Sequence, residues 1–453
     1  MKPYKNYKPS GEPWLGDVPN HWRVERLRFS ICAMESGKSV NAADVPALPH
    51  QIGVLKTSCV YTRSFRHEEN KTVVSDEVNL VACPVRLNSL IVSRMNTPEL
   101  VGAAGLVREA PDNIFLPDRL WQVTFDNAVI LTGYIYWFTL TQAYSDQVRV
   151  ASSGSSESMQ NLGQDKFRNI VCVVPPLSEQ KSIAGYLEIE TTRIDELIRE
   201  KEGLLSLLAE YRLSEIDANI FRGLDPNVRM QNSGIPWLGI IPSHWRIERA
   251  RFAVKVNPKA SRYIEDTEVV SFLPMEAIGD DGVLQLDQVR TVSDVSSGYT
   301  FFENGDVTIA KITPCFENGK GAHMRDLVGK VGYGTTELIV IRPSDNVSPD
   351  WLYFVTQTHL FRKRGEAMMQ GAGGQKRVPD SFVKDFPLAI PPLHEQTAIA
   401  FVIKESLKRI DDLIAHAREE LHFLNELRAA TVTDAVLGRI DVSSHSAKAQ
   451  LAA

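Results

Sequence analysis

A chain of 453 residues, 43% hydrophobic and 23% charged, has globular composition and length enough for two or more cores. This excludes a disordered protein, and the sequence shows neither an apolar leader nor the run of about 18 apolar residues a bilayer span needs, so no membrane association and a cytoplasmic location are expected. The net charge of -6 opposes a nucleic-acid partner, because phosphate binding draws on Lys and Arg, so the distribution of charge matters more than its total.

Residues 1 to 31 carry six basic and three acidic side chains, among them Arg23, Arg26 and Arg28. The segment PWLGDVPNHWRVERLRF, 13 to 29, returns as PWLGIIPSHWRIERARF, 236 to 252, with twelve of seventeen positions identical, and Arg246, Arg249 and Arg251 match the first three arginines. After the first copy comes a long insert of mixed strand and helix character that ends at residue 174. The five cysteines, Cys32, Cys59, Cys83, Cys172 and Cys315, have no C-x-x-C spacing and predict neither zinc nor a disulfide framework.

Pro175-Pro176-Leu177 opens a segment free of proline until Pro226, with Ser178 before Glu179 as an N-cap signal, so 175–225 is predicted as a long acidic helix. Ile183, Leu187, Glu190, Ile194, Leu197, Lys201, Leu204, Leu208 and Tyr211 alternate at spacings of four and three, the pattern of a coiled-coil seam. A second block, 226–390, repeats the frame and carries its own insert. The region 391–441 then repeats the helix, with PPLHEQTAIA answering PPLSEQKSIA, RIDDLI answering RIDELI, and a seam through Ile399, Ile403, Ser406, Ile410, Leu413, Ala417, Glu420, Leu424 and Leu427. A tail, 442–453, follows and is expected to be flexible.

The repeat predicts internal pseudo-two-fold symmetry: two α+β or mixed α/β domains, 1–174 and 226–390, separated by two long helices packed as an antiparallel coiled coil. The alternatives are an ordinary duplicate whose halves have drifted, and helices that pack only on their own domains. Helices of forty-odd residues measure roughly 60 to 65 Å, and a block of some 140 residues on the order of 40 Å. The two domains would then sit at least about one DNA turn apart, roughly 34 to 36 Å.

No phosphate loop, dinucleotide fingerprint, H-E-x-x-H, G-x-S-x-G or amino-methyltransferase Pro-Pro-aromatic motif occurs, so no catalytic residue, bound cofactor or metal is expected. The repeated pairs His21-Trp22 and His244-Trp245 suit packing better than catalysis.

The W-L-G-x-x-P-x-H-W-R-x-x-R segment in duplicate, with Pro-Pro-Leu-x-Glu-Gln leading twice into R-I-D-x-L-I, resembles the specificity subunits of type I restriction-modification systems from about Gly11 to Asp441. GDVTIAKITPCFENGKGA, 305 to 322, is similar to a stretch of their target-recognition domains, and LIVSRMNTPELVGAAG, 90 to 105, is its diverged counterpart. The resemblance implies a non-catalytic subunit that reads a split site in double-stranded DNA, one half per domain. It also implies docking on the helices of two modification subunits, which use S-adenosylmethionine, and association with restriction subunits, which use ATP and Mg²⁺. The competing reading is a coiled-coil scaffold that does not touch DNA.

Base edges are read by side chains with paired donors and acceptors, phosphates by Lys, Arg and Ser, and both kinds sit mainly on loops. Candidate DNA-binding residues are Lys56, Arg63, Arg66, Arg94, Asn96 and Gln160 in the first domain. In the second they are Lys311, Asn318, Lys320, Arg325, Gln375, Lys376 and Arg377. The frame arginines, common to both copies, cannot encode differing specificity; phosphate contact or domain bracing suits them.

Overall fold

The computed structural model describes residues 2–156, 159–372 and 374–443; most of the expected tail, from 444 onward, and Gly373 of the second Gly-rich loop lie outside them. Two compact units form: one takes the chain up to Lys201 and again from Glu419, the other spans Glu202–Arg418.

In the first unit the frame opens with strand Tyr7–Pro9 on Asp17–Pro19. Strand Arg23–Arg26 then pairs antiparallel with Val171–Val174, the last strand before the Pro-Pro pair. This ladder is a neck: the two ends of the insert leave the frame side by side, so the insert's length and sequence can vary without moving its attachment. The second unit builds the same neck from Arg246–Arg249 and Pro387–Ile390.

Each insert contains two four-stranded sheets. In the first unit an antiparallel sheet runs Ala104–Leu106, Leu90–Ser93, Leu120–Phe125, Ile31–Ser36. A smaller one runs Ile114–Phe115, Gly53–Leu55, Asn70–Val73, Ala42–Ala43, its first pair parallel. The second unit repeats the large sheet as Gly321–His323, Val307–Ala310, Leu338–Pro343, Val254–Val256. Its small sheet, Val289–Thr291, Val269–Leu273, Val331–Gly334, Thr300–Glu303, again contains one parallel pair. Leu90, Ile91 and Val92 are fully buried, as a strand covered on both faces must be.

The long helices are Leu177–Arg222, 46 residues, and Leu393–Val436, 44 residues. The first is followed by Gly223 and the second ends just before Gly438; both glycines have φ +72, the left-handed cap that stops a helix. Ser178 is not the N-cap that was expected. It lies inside the first helix, because the Pro176 carbonyl already accepts from the Glu179 and Gln180 amides at 2.9 and 3.0 Å. In each unit the helices run antiparallel. In the first, Asp195 meets Arg428 at 2.6 Å and Lys201 meets Glu420; in the second, Arg212 meets Asp411 at 3.2 Å and Glu215 meets Ser406 at 3.0 Å.

The seam follows its predicted register only in part. Ile183, Leu187, Ile194, Ile399, Ile403, Ile410 and Ala417 are buried, and Leu208 packs against the second core. Leu197, Leu204, Tyr211, Leu413 and Leu427 are exposed instead. The cause lies in what covers each stretch: Ile183 and Leu187 belong to the first domain's core and Ile399 and Ile403 to the second's, each burial worth roughly 1.5 to 3 kcal/mol.

Candidate nucleic-acid interface

The frame fixes each insert against its helix through a two-residue socket. Glu179, in the first turn, accepts from the Trp22 indole at 2.9 Å and the Tyr4 hydroxyl at 3.0 Å, and lies 2.7 Å from His21 Nε2. Gln180, fully buried, accepts from the Leu131 amide at 2.7 Å and donates to the Val129 and Pro175 carbonyls. In the second unit Glu395 accepts from Trp245 at 3.1 Å and sits 2.8 Å from His244 Nε2, while Gln396 accepts from the Ser348 amide and donates to Asn346 and Pro391. The repeated His-Trp and Glu-Gln pairs are thus two halves of one joint, which accounts for their presence in both copies without any chemistry.

Beyond the joint, the last residue of one strand in each large sheet leads into the candidate patch. Arg94 follows Ser93; its amide donates to Arg119 O at 3.1 Å and its carbonyl accepts from Leu162 N at 2.8 Å. Lys311 follows Ala310, with its amide on Glu337 O and its carbonyl on Val378 N, each at 2.8 Å. The matching backbone bonds make Arg94 and Lys311 structural equivalents.

Around Arg94 the predicted residues gather. Asn96 pairs in register with Gln160 across an antiparallel ladder. The Asn96 side-chain oxygen Oδ1 accepts from the Thr97 amide and, at 3.5 Å, from the Tyr61 hydroxyl. Asn96 is buried, so its amide is already committed to holding the turn. Arg63, with φ +60, reaches Glu99 O at 3.3 Å on the same side. Lys56 lies in a neighbouring cleft of about 580 Å³ together with Tyr61, Lys71 and Arg119, and it shares Asp44 with Lys71 at 2.8 and 3.6 Å. Arg66 stands apart, paired with Glu69 at 3.1 Å. Sequence reasoning missed Lys71 and Arg119; the position of Arg119, just ahead of strand Leu120–Phe125, was the available signal.

In the second unit Lys311, Gln375, Lys376 and Arg377 come together. Thr313 takes the Lys376 carbonyl at 3.0 Å, and Arg377 grips Glu337 with two bonds of 2.9 and 2.8 Å. That grip, and more weakly the charge of Lys311, holds the Glu337 carboxyl below its ordinary pKa against the opposing effect of burial. The other three candidates are placed differently. The Lys320 ammonium donates to Met275 O at 3.1 Å. Asn318 lines a groove with Arg212 and Arg418 of the helices, and Arg325 lines another with Lys404 and Asp411. Among the described residues no three His, Cys, Asp or Glu side chains are grouped to hold a metal ion, and no helix is long and apolar enough to cross a membrane.

Duplicated necks and duplicated sockets beneath unlike patches define a class of protein: a chain of two equivalent units, each with the same frame and its own insert. Residues 263–422 match the family model described as the type I restriction modification DNA specificity domain. The specificity subunit of the type I restriction enzyme EcoEI from Escherichia coli is 35% identical over 312 residues, 67% of this chain and 49% of the relative. That of EcoAI, also from E. coli, is 39% identical over 176 residues, 38% and 30%. The chain thus spans less than half the length of these curated relatives.

Two solved structures share the fold at 16% identity. A chain from work on complex assembly and conformational transition of the type I R-M system aligns over 93% of this chain and 99% of its own, with a TM-score of 0.66. The HsdS subunit from Thermoanaerobacter tengcongensis aligns over 93% and 98%, with a TM-score of 0.52. The chain belongs to the family of type I restriction-modification specificity subunits.

Proposed function

We propose that this chain is the DNA sequence-recognition subunit of a type I restriction-modification complex, reading a bipartite site in double-stranded DNA with one half-site per insert. The observation that carries the reading is the identical Glu-Gln socket and neck in both units beneath unlike patches, Arg94, Asn96 and Gln160 in one and Lys311, Lys376 and Arg377 in the other. Of the thirteen candidates, Lys56, Arg63, Arg94 and Gln160 of the first unit and Lys311, Gln375, Lys376 and Arg377 of the second are the ones we assign to DNA. Arg66, Asn96, Asn318, Lys320 and Arg325 we assign to supporting roles.

The chain itself contributes no chemistry and holds no cofactor. Two modification subunits, using S-adenosylmethionine, dock on the helices, and restriction subunits bring ATP and Mg²⁺, all in the cytoplasm. A pair of equal docking places is supported by Leu207 and Tyr211 in one unit and Phe423 and Leu427 in the other. These occupy the same repeat positions, and all four side chains are more than half exposed. The domains are taken as 1–174 and 226–390, with helical spacers 175–225 and 391–441.

The test is an exchange of residues 32–174 for the insert of another family member in the assembled complex, read by sequencing the DNA it selects. One half of the selected site should change and the other stay the same; an unaltered site would end the reading.

A further inference from the structure

Arg26 and Arg28 occupy the same frame positions as Arg249 and Arg251, yet the two pairs meet different partners. Arg26 Nη1 donates to the neutral amide oxygen of Asn169 at 3.4 Å, and among the described residues the guanidinium of Arg28 meets the Phe29 ring, 5.2 Å away, and no carboxylate. In the second unit Arg249, at 3.4 Å, and Arg251 both reach the carboxylate of Asp385. Asn169 and Asp385 are themselves equivalent, each six residues ahead of the Pro-Pro pair and each at the end of a short helix. One amide-for-carboxylate difference therefore leaves two guanidinium groups open in one unit and neutralises them in the other.

The open pair lines a cleft of about 480 Å³ with Lys166, Trp14 and Glu12. Glu12 is the carboxylate on that wall, and among the described residues no ion pair joins it to Arg26, Arg28 or Lys166. Three cations facing one carboxylate make a site for an anion with several oxygens, which guanidinium forks grip in two bonds.

We propose that the Arg26–Arg28–Lys166 cleft holds a backbone phosphate of duplex DNA, and that its counterpart at Arg249 and Arg251 is a brace closed by Asp385. This rests on the reading of the chain as a DNA-recognition subunit and adds to it an asymmetric anchor at the neck, where the frame arginines meet the last helix of the first insert. A phosphate is the favoured occupant because a contact made from the constant frame must be independent of sequence, as phosphate contacts are.

The experiment measures binding of the full chain, assembled with its partner subunits, to a duplex of arbitrary sequence across a salt series. Each phosphate contact contributes about -0.9 to the slope of log Kobs against log salt. R26Q/R28Q should make the slope shallower by about 1, R249Q/R251Q should leave it close to that of the wild type, and R26K/R28K should keep the wild-type slope. The isosteric exchanges should move it in opposite directions, N169D shallower by about 1 and D385N steeper by about 1.

Equal shallowing by both glutamine pairs, or an unchanged slope in R26Q/R28Q, overturns the inference. So does a slope in R26K/R28K as shallow as that of R26Q/R28Q, because lysine keeps the charge that sets the slope even where it loses the fork's affinity. Loss of partner subunits from R26Q/R28Q at an unchanged slope would assign the cleft to a protein carboxylate and also overturn it. A wild-type complex whose binding ignores salt would instead bring down the DNA reading itself.

Discussion

At one position of the helical repeat the first unit carries Glu188, held by Arg108 at 2.6 Å, and the second carries Lys404, held by Asp350 at 2.6 Å. The same helix face thus grips its insert with opposite polarity in the two units. Frame arginines diverge likewise, with Asn169 beneath one pair and Asp385 beneath the other. The buried joints do not diverge: Gln180 and Gln396 make the same three backbone bonds. A buried amide with three partners tolerates no exchange, since each orphaned backbone group costs about 1 to 3 kcal/mol, whereas a partly exposed ion pair can be inverted if both partners change.

The largest expected effect tests that sameness. Gln180→Ala and Gln396→Ala should each destabilise its own unit by about 3 kcal/mol, read as faster hydrogen exchange of the strands flanking the joint in that unit alone. Equal effects sustain the equivalence of the units, and a silent change in either breaks it.

Glu179→Gln and Glu395→Gln should differ. Glu179 serves Trp22, His21 and Tyr4, whereas Glu395 serves Trp245 and His244, so about 2 to 3 kcal/mol is expected for the first and about 1 to 2 for the second. Hydrogen exchange of the two necks reads the difference, and reversal of the order would refute the attribution to the Tyr4 hydroxyl.

A third prediction concerns pH in the second unit. His323, at 2.8 Å, and then Lys404 hold the Asp350 carboxyl well below the usual carboxylate range, against the burial that would raise it. A carboxyl whose pKa is depressed by folding contributes stability above its unfolded pKa, about 3.9, and loses it as the pH falls. Asp350→Asn should therefore lower thermal stability by about 1 to 2 kcal/mol at pH 6, and the gap to wild type should narrow below about pH 4. A gap that stayed constant to pH 3 would show that packing, not charge, carries the effect.

The smallest effects sharpen the inversion. Glu188→Lys places two cations together in the first unit and Lys404→Glu two carboxylates in the second, each costing about 0.5 to 1 kcal/mol for a partly exposed pair. Adding Arg108→Glu to the first change should restore most of the loss, and adding Asp350→Lys to the second should restore less, because it gives up the His323 bond at 2.8 Å. Thermal unfolding of single and double variants checks this, and no recovery in either double variant would deny the ion pairs any share in holding insert to helix.

Repetition was the main source of legibility in the sequence. Two copies of the frame and two of the helix opening were enough to predict paired antiparallel helices and to assign His21-Trp22 and His244-Trp245 to packing. The same repetition would have joined those pairs to Glu179 and Glu395, since all recur in step. The patches were half legible: Arg94, Asn96 and Gln160 were chosen on residue type, and the fold brings them together, but nothing in the sequence told that Lys320 and Arg325 turn elsewhere.

Local chemistry alone set the helices and their limits, because Pro-Pro starts, left-handed glycine ends and three-four apolar spacing act within a few residues. It set the existence of two equivalent units for the same reason, since copied segments repeat copied local preferences. Which apolar positions of the seam are covered, which arginines stay open and which carboxylate neutralises them depended on pairs such as Arg26 with Asn169 or Arg251 with Asp385, over a hundred residues apart. Coulomb attraction and burial act through space, and only the folded path of the inserts fixes those distances.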